Sequence, residues 1–176
     1  MERPVPLNDG TFFPWPVYGS GTSLRDKDAS TQVSDAIRAG FRHIDCAQMY
    51  RNEESVGKGI AESGMPRAEL YVTTKLLAIP EGLTAADTLR ESLRKMGLEY
   101  VDLFLVHEPA HHKDLRKVWK EMEECKRAGL ARSTGVSNFR IKDLEEILDG
   151  AVSVPVINQV CYTRYVGLVS LTVIMF

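Results

Sequence analysis

Between residues 17 and 160 the chain repeats one pattern: a short apolar or β-branched run, a polar loop, then a stretch of helical period that closes on a glycine. The runs at 17–21, 41–45, 71–76, 101–106, 131–136 and 154–160 read as strands. Between them, apolar residues recur at helical spacing: Ala29, Val33, Ala36 and Ile37; Val56, Ile60 and Ala61; Ala86, Leu89, Leu93 and Met96; Leu115, Val118, Trp119 and Met122; and Ile141, Leu144, Ile147 and Leu148. Gly40, Gly64, Gly97, Gly129 and Gly150 stand where these helices end. Largely apolar strands, each followed by a helix, specify a parallel sheet of βα units covered on both faces, with no internal domain boundary.

An open doubly wound sheet and a (β/α)8 barrel both satisfy that string, and the polar residues at the strand ends separate them. Asp45, Lys75, His107, Ser137 with Asn138, and Gln159 each stand at or just past the C-terminal end of a different, consecutive strand. A barrel gathers such ends around one mouth, where its active sites lie; an open sheet would hold the outer ones far apart. The expected class is therefore α/β, a (β/α)8 TIM barrel. It is incomplete, with about six βα units where the fold needs eight and usually about 250 residues. An N-terminal hairpin turning at Asn8-Asp9-Gly10 is expected as a plug or lid. The division expected is a partial barrel domain over 1–165 and a divergent apolar tail over 166–176. That tail carries no charge and falls short of the about 20 residues that span a bilayer. Together with unpaired strand edges it is an aggregation hazard.

At 44% hydrophobic and 26% charged, the 176 residues suit one globular core, and a net charge of -2 without a basic run offers nucleic acid no electrostatic footprint. Three unevenly spaced cysteines argue against a disulfide framework, and the Met-Glu-Arg-Pro start is no secretory signal. A cytoplasmic protein acting on a small molecule, with neither nucleic acid nor membrane as partner, is expected.

The chemistry converges on the stretch Gly40-Phe-Arg-His-Ile-Asp-Cys-Ala-Gln-Met-Tyr-Arg-Asn-Glu53, which leaves a strand at Asp45 and reaches Tyr50 in the loop beyond. Asn52 reads as the N-cap of the next helix, with Glu53 and Glu54 in its first turn. Singly, a rim tyrosine, a strand-end lysine and a lone histidine are ordinary structural residues. Together they can deliver a proton. A phenol with a pKa of about 10 is a poor acid at neutral pH, and an ammonium beside it stabilises the phenolate and lowers that value. Lys75 is expected to do this to Tyr50, Asp45 to hold Lys75 by a charge-assisted hydrogen bond, and His107 to orient a substrate oxygen beside the tyrosine hydroxyl. A site with neither nucleophile nor metal needs its hydride from a cofactor.

Two other motifs compete. Gly19-Ser-Gly-Thr-Ser23 lacks the third glycine and the immediate helix of a dinucleotide fingerprint. His107-Glu-Pro-Ala-His111 matches the His-Glu-x-x-His pattern of zinc hydrolases, but that pattern binds metal only on a helix, and Pro109 biases Glu108 away from helical geometry. No metal is expected.

The Asp-x-x-x-x-Tyr-x-Asn-Glu-x-x-Val-Gly stretch from Asp45 to Gly57, with Gly21-Thr22 before it and Lys75, His107, Gly135-Val-Ser-Asn-Phe139 and Asn158-Gln159 after it, resembles the aldo-keto reductase family. The resemblance implies NADPH-dependent reduction of aldehyde or ketone carbonyls, with Asp45, Tyr50, Lys75 and His107 as catalytic tetrad and Tyr50 as general acid. It further implies Gly21, Thr22, Asp45, Ser137, Asn138 and Gln159 as cofactor-binding residues, the last three at the nicotinamide carboxamide. Cys46 stands where Thr is common, Glu108 where an aromatic follows the histidine, and Ser23 where many members carry a pocket aromatic, so the usual substrate preferences do not transfer. Beyond Tyr165 the sequence departs from the family, whose later segments stack on nicotinamide and grip the 2′-phosphate. The alternative expectation is accordingly a truncated, catalytically silent product.

Overall fold

The computed structural model describes residues 4–163 and 169–175, with side chains for 4–21 and 23–160. A hairpin of β1 (Val5–Pro6) and β2 (Phe12–Phe13) precedes the alternating elements. These are β3 (Val17–Gly19), α1 (Ser30–Arg38), β4 (His43–Asp45), α2 (Glu53–Ser63), β5 (Tyr71–Leu76), α3 (Ala85–Met96), β6 (Val101–Val106), α4 (Leu115–Arg127), β7 (Ala131–Ser137), α5 (Ile141–Leu148) and β8 (Ile157–Thr163). Strands β3 to β8 lie side by side in chain order, all parallel. A last strand, β9 (Val169–Met175), turns back antiparallel along β8, with Thr163 opposite Val169 and Ile157 opposite Met175.

One hydrogen bond settles barrel against open sheet. Gln159 on β8 donates to the Asp45 carboxylate on β4 over 2.7 Å. Four strand spacings separate these two strands, about 19 Å in a flat sheet. The sheet must curl to bring them together, so it is a part-barrel whose edges, among the described residues, are β3 and β9.

Strand alternation sorts the core into two layers. On β6, Phe104 and Val106 pack outward against the helices, whereas Leu103 and Leu105 point inward to meet Ile157, Val156, and Leu7 and Phe13 of the hairpin. The hairpin is therefore a plug. Asp9 in its turn accepts from Ser133 at 2.8 Å and Lys126 at 2.7 Å, and Asn8 donates to the Pro155 carbonyl at 3.2 Å. Helix α3 begins with a capping box between Thr84 and Asp87. Helix α2 approaches α3 so closely that a Cβ at Gly57 would stand 2.2 Å from the Met96 carbonyl oxygen, which explains a glycine inside a helix.

Three details depart from the sequence expectation. Ile141 is 76% exposed and Leu148 42%, because α5 packs mainly on α4 and turns only Ile147 and part of Leu144 to the core. Ala61 is likewise exposed. The last parallel strand begins at Ile157 rather than Val154, after Pro155, which has no N–H to give a ladder.

Candidate active site

Lys75, the penultimate residue of β5, is almost fully buried, and its ammonium donates to Asp45 Oδ1 and, at 3.0 Å, to the Cys46 carbonyl. Gln159 occupies the other Asp45 oxygen, so both oxygens of the carboxylate are engaged, as an ion pair out of water requires. Tyr50 closes a 3-10 turn, Gln48–Tyr50. The Lys75 Nζ lies 5.3 Å from its ring centroid. The His107 ring meets Tyr50 edge to face, with centroids 5.7 Å apart at 86°. Asp45, Tyr50, Lys75 and His107, drawn from the ends of three strands and one loop, thus share one site.

Burial pulls the Lys75 ammonium down, but Asp45 and Tyr50 beside it hold it above its ordinary value. For Tyr50 the outcome reverses the expectation from sequence: burial pushes the phenol up by more than Lys75 pulls it down, and Asp45 adds to the rise. The resting tyrosine therefore keeps its proton more firmly than a free one. Burial and the neighbouring Lys75 charge depress His107 to about 4, so its ring is neutral at pH 7. Its Nδ1 is buried and unpartnered among the described residues.

Ser137 ends β7 as expected, whereas Gln159 lies inside β8, which runs on to Thr163; the Ser137 hydroxyl donates to the Gln159 carbonyl at 2.7 Å. Asn138, in the left-handed region at φ 60°, donates to Ser137 Oγ at 3.0 Å, the His107 carbonyl at 3.2 Å and Glu108 Oε1 at 3.1 Å. One hydroxyl and two primary amides supply both donors and acceptors, the chemistry a carboxamide needs for recognition.

Gly21 lies against the general-acid candidate itself, since a Cβ there would stand 2.8 Å from Tyr50 Cζ. Thr22 opens a 3-10 turn, Thr22–Leu24, and its side chain lies outside the described residues. Asn52 flanks α2 as expected, yet its side chain caps nothing. Its amide donates instead to the Ser20 and Leu24 carbonyls at 2.8 and 3.0 Å, stitching the loop after β3 to the loop of Tyr50. Sequence reasoning missed this tie, and nothing in the spacing signals a contact between loops about thirty residues apart. Glu108 is extended (φ -147°, ψ 129°) and a 3-10 turn covers Pro109–His111, so His107 and His111 do not share a helical face. Among the described residues no helix is long and apolar enough to cross a membrane.

The model of the Aldo/keto reductase family matches residues 15–171, reaching into the stretch read above as a divergent tail. The chain is 41% identical over 162 residues to the NAD/NADP-dependent indole-3-acetaldehyde reductase of Schizosaccharomyces pombe, covering 86% of this chain and 56% of that one. It is 39% identical over 161 residues to the glyoxal reductase of Bacillus subtilis, covering 91% and 58%. Among solved structures, an aldo/keto reductase from Brucella melitensis superposes with a TM-score of 0.82 at 41% identity, over 91% of this chain and 63% of that one. A Bombyx mori aldo-keto reductase in complex with NADP gives 0.81 at 38% identity, over 91% and 58%. The chain spans little more than half the length of the curated relatives it matches. On a family match that takes in both the tetrad and the carboxamide-type cluster, the chain belongs to the aldo/keto reductase family.

Proposed function

We propose that this chain carries the site of an NADPH-dependent carbonyl reductase acting on small aldehydes or ketones, with Tyr50 as general acid. The observation that carries the reading is the buried Lys75, paired with Asp45 on one side and beside the Tyr50 ring on the other. When bound, the reduced nicotinamide supplies the hydride. Tyr50 gives its hydroxyl proton to the carbonyl oxygen as negative charge develops there, and Lys75 stabilises the phenolate left behind. Asp45 keeps Lys75 charged in a buried position. Neutral His107 offers a ring N–H to the same carbonyl oxygen, a donor that stays neutral across the physiological range because its pKa is held to about 4. Ser137, Asn138 and Gln159 would hold the carboxamide. A resting phenol above its ordinary pKa keeps the acid fully protonated at pH 7, and the ammonium lowers the barrier only as the phenolate forms.

A second reading, that the chain by itself is catalytically silent, draws on the two sheet edges left at β3 and β9 among the described residues. The test is a fluorescence titration with NADPH followed by reduction of 4-nitrobenzaldehyde, glyoxal and indole-3-acetaldehyde. Turnover that disappears in Tyr50→Phe supports the reductase. NADPH binding without turnover, or no binding, supports the silent reading.

A further inference from the structure

Among the described residues only three other than glycine have positive φ, and all three lie in loops at the mouth: Asp26 (60°), Arg51 (54°) and Asn138 (60°). Asn138 belongs to the carboxamide cluster described above, whereas Asp26 and Arg51 have no part in it. A side chain in the left-handed region persists only where its surroundings over-determine the backbone. Asp26 and Arg51 supply much of those surroundings to each other, with Arg25 Nε also 3.7 Å from Asp26 Oδ2. The Arg51 guanidinium grips both Asp26 carboxylate oxygens, Nε on Oδ1 and Nη2 on Oδ2 at 2.9 Å. The Asp26 backbone N–H donates to the carbonyl of Tyr50 itself at 2.9 Å.

An exposed ion pair adds little to global stability, so stability alone is a poor reason to hold two residues in a disfavoured backbone conformation. Tyr50 is the residue they share. Arg51 follows it directly, Asp26 fixes its carbonyl, and Asn52 ties the same two loops from below while Gly21 lies against the ring. The start of the short turn Gln48–Tyr50 is anchored by β4 and by the Gln48 side chain, which accepts from the Leu77 N–H at 2.9 Å and donates to Ser92 Oγ at 3.1 Å, whereas its end is tied to the loop after β3 through Asp26 and Asn52.

We infer that the Asp26–Arg51 clamp is a positioning device that fixes Tyr50 in the place from which it donates its proton. This inference rests on the reading of Tyr50 as general acid. It assigns to the loop after β3 a share in setting kcat, separate from cofactor or substrate affinity.

The test uses two variants that spare the backbone. Asp26→Asn keeps a residue tolerant of positive φ while removing the charge, and Arg51→Gly relieves the left-handed conformation while removing the clamp. Both should keep the wild-type urea midpoint. With 4-nitrobenzaldehyde, kcat should fall about threefold to tenfold with KM and the Kd for NADPH unchanged, as expected for a slightly misplaced catalytic group. Combining the two changes should lower kcat no further than the worse single variant, because each breaks the same link. The 13Cζ resonance of Tyr50, assigned by its absence in Tyr50→Phe, should move in both variants. It should stay in place in Arg94→Gln, which breaks an exposed pair with Glu91 on α3. Unchanged kcat with an unmoved resonance overturns the inference, as does an equal effect from Arg94→Gln. If the wild-type chain reduces no aldehyde, the proposed function fails by itself. The resonance then decides the clamp: movement in both variants supports it, and a fixed resonance overturns it.

Discussion

Gly21→Ala isolates the position of one ring. The backbone at Gly21 (φ -80°, ψ -165°) is open to alanine, so the substitution adds only a methyl group. That methyl would stand 2.8 Å from Tyr50 Cζ, 3.0 Å from Cε2 and 3.2 Å from Cε1. Carbon–carbon contact becomes favourable near 3.5 Å, so the ring must retreat by about 0.7 Å. Overpacking of this kind costs about 1–3 kcal/mol, and the low end applies because Tyr50 sits in a half-buried loop that can yield. The catalytic consequence is larger. A misplacement of about 1 Å at a reacting group can cost roughly 10²-fold, so kcat should fall roughly tenfold to thirtyfold. The assay is NADPH-dependent reduction of 4-nitrobenzaldehyde beside a fluorescence Kd for NADPH and a thermal midpoint. A large fall in kcat with the Kd within about twofold, and no further loss when the change is made in Tyr50→Phe, is the expected result. A weakened Kd with kcat intact would make Gly21 a cofactor contact instead and refute the steric reasoning.

Three more outcomes follow from the fold. Asp102 is buried and accepts from Arg67 at 2.6 Å, the Val72 N–H at 2.9 Å and Arg132 at 3.1 Å. Asp102→Asn should therefore cost about 2–4 kcal/mol in urea unfolding, and a loss under half that would show the arginines re-pairing with solvent. His43, buried between the Pro14 carbonyl and Thr73 Oγ1, is held by burial at about 4 against an ordinary 6.5. The unfolded chain takes up that proton first, so this part of the stability is full above pH 6.5, falls as pH drops toward 4, and amounts to about 3 kcal/mol. His43→Gln should flatten the difference between pH 7 and pH 4.5 in part, His107 contributing over the same window, and an unaltered slope would contradict the assignment. Ile141→Lys, at a residue 76% exposed, should change stability by less than about 0.5 kcal/mol, and a larger loss would mean that α5 is covered in solution.

Much of this architecture is legible in the sequence because both periodicities are strong. Leu103 and Leu105 alternate with Phe104 and Val106, and Leu115, Val118, Trp119 and Met122 share a face that the fold buries. The polar residues that end the strands are legible for the same reason, since strand register fixes which end they occupy. What escaped depends on neighbours. The apolar period of α5 shows that Ile141 and Leu148 share a face with Ile147, yet it cannot show whether another element covers that face. Lys75 beside Tyr50 was foreseeable, but the direction of the Tyr50 pKa turns on how deeply the ring is buried, and desolvation outweighs the ammonium. Asn52 has the residue type of an N-cap, and only the three-dimensional path of the loop after β3 diverts its amide to Ser20 and Leu24. The Asp26–Arg51 clamp has no local signature, because it depends on backbone conformations that neither residue type dictates.

The two halves of the site have different foundations. The residues proposed to deliver the proton lie on β4 and β5, just past β6, and in the loop after β4, on a run of neighbouring strands fixed by register pairs along their length. The carboxamide-type cluster depends on β8. That strand pairs with β7 through two residue pairs, Val136 with Asn158 and Ser137 with Gln159, but with β9 through seven. Gln159 itself stands between Ser137 and Val173, and its carbonyl accepts from Ser137 Oγ and the Asn138 N–H, so strands on both sides position it. The halves meet in the Asp45 carboxylate, which gives one oxygen to Lys75 and the other to Gln159. If β8 shifts, Asp45 keeps Lys75 and loses only Gln159, so the ammonium beside Tyr50 survives while the amide network beyond it comes apart. On the proposed roles, loosening the pairing of β8 should thus raise the Kd for NADPH in a fluorescence titration well before it alters the Lys75–Tyr50 pair.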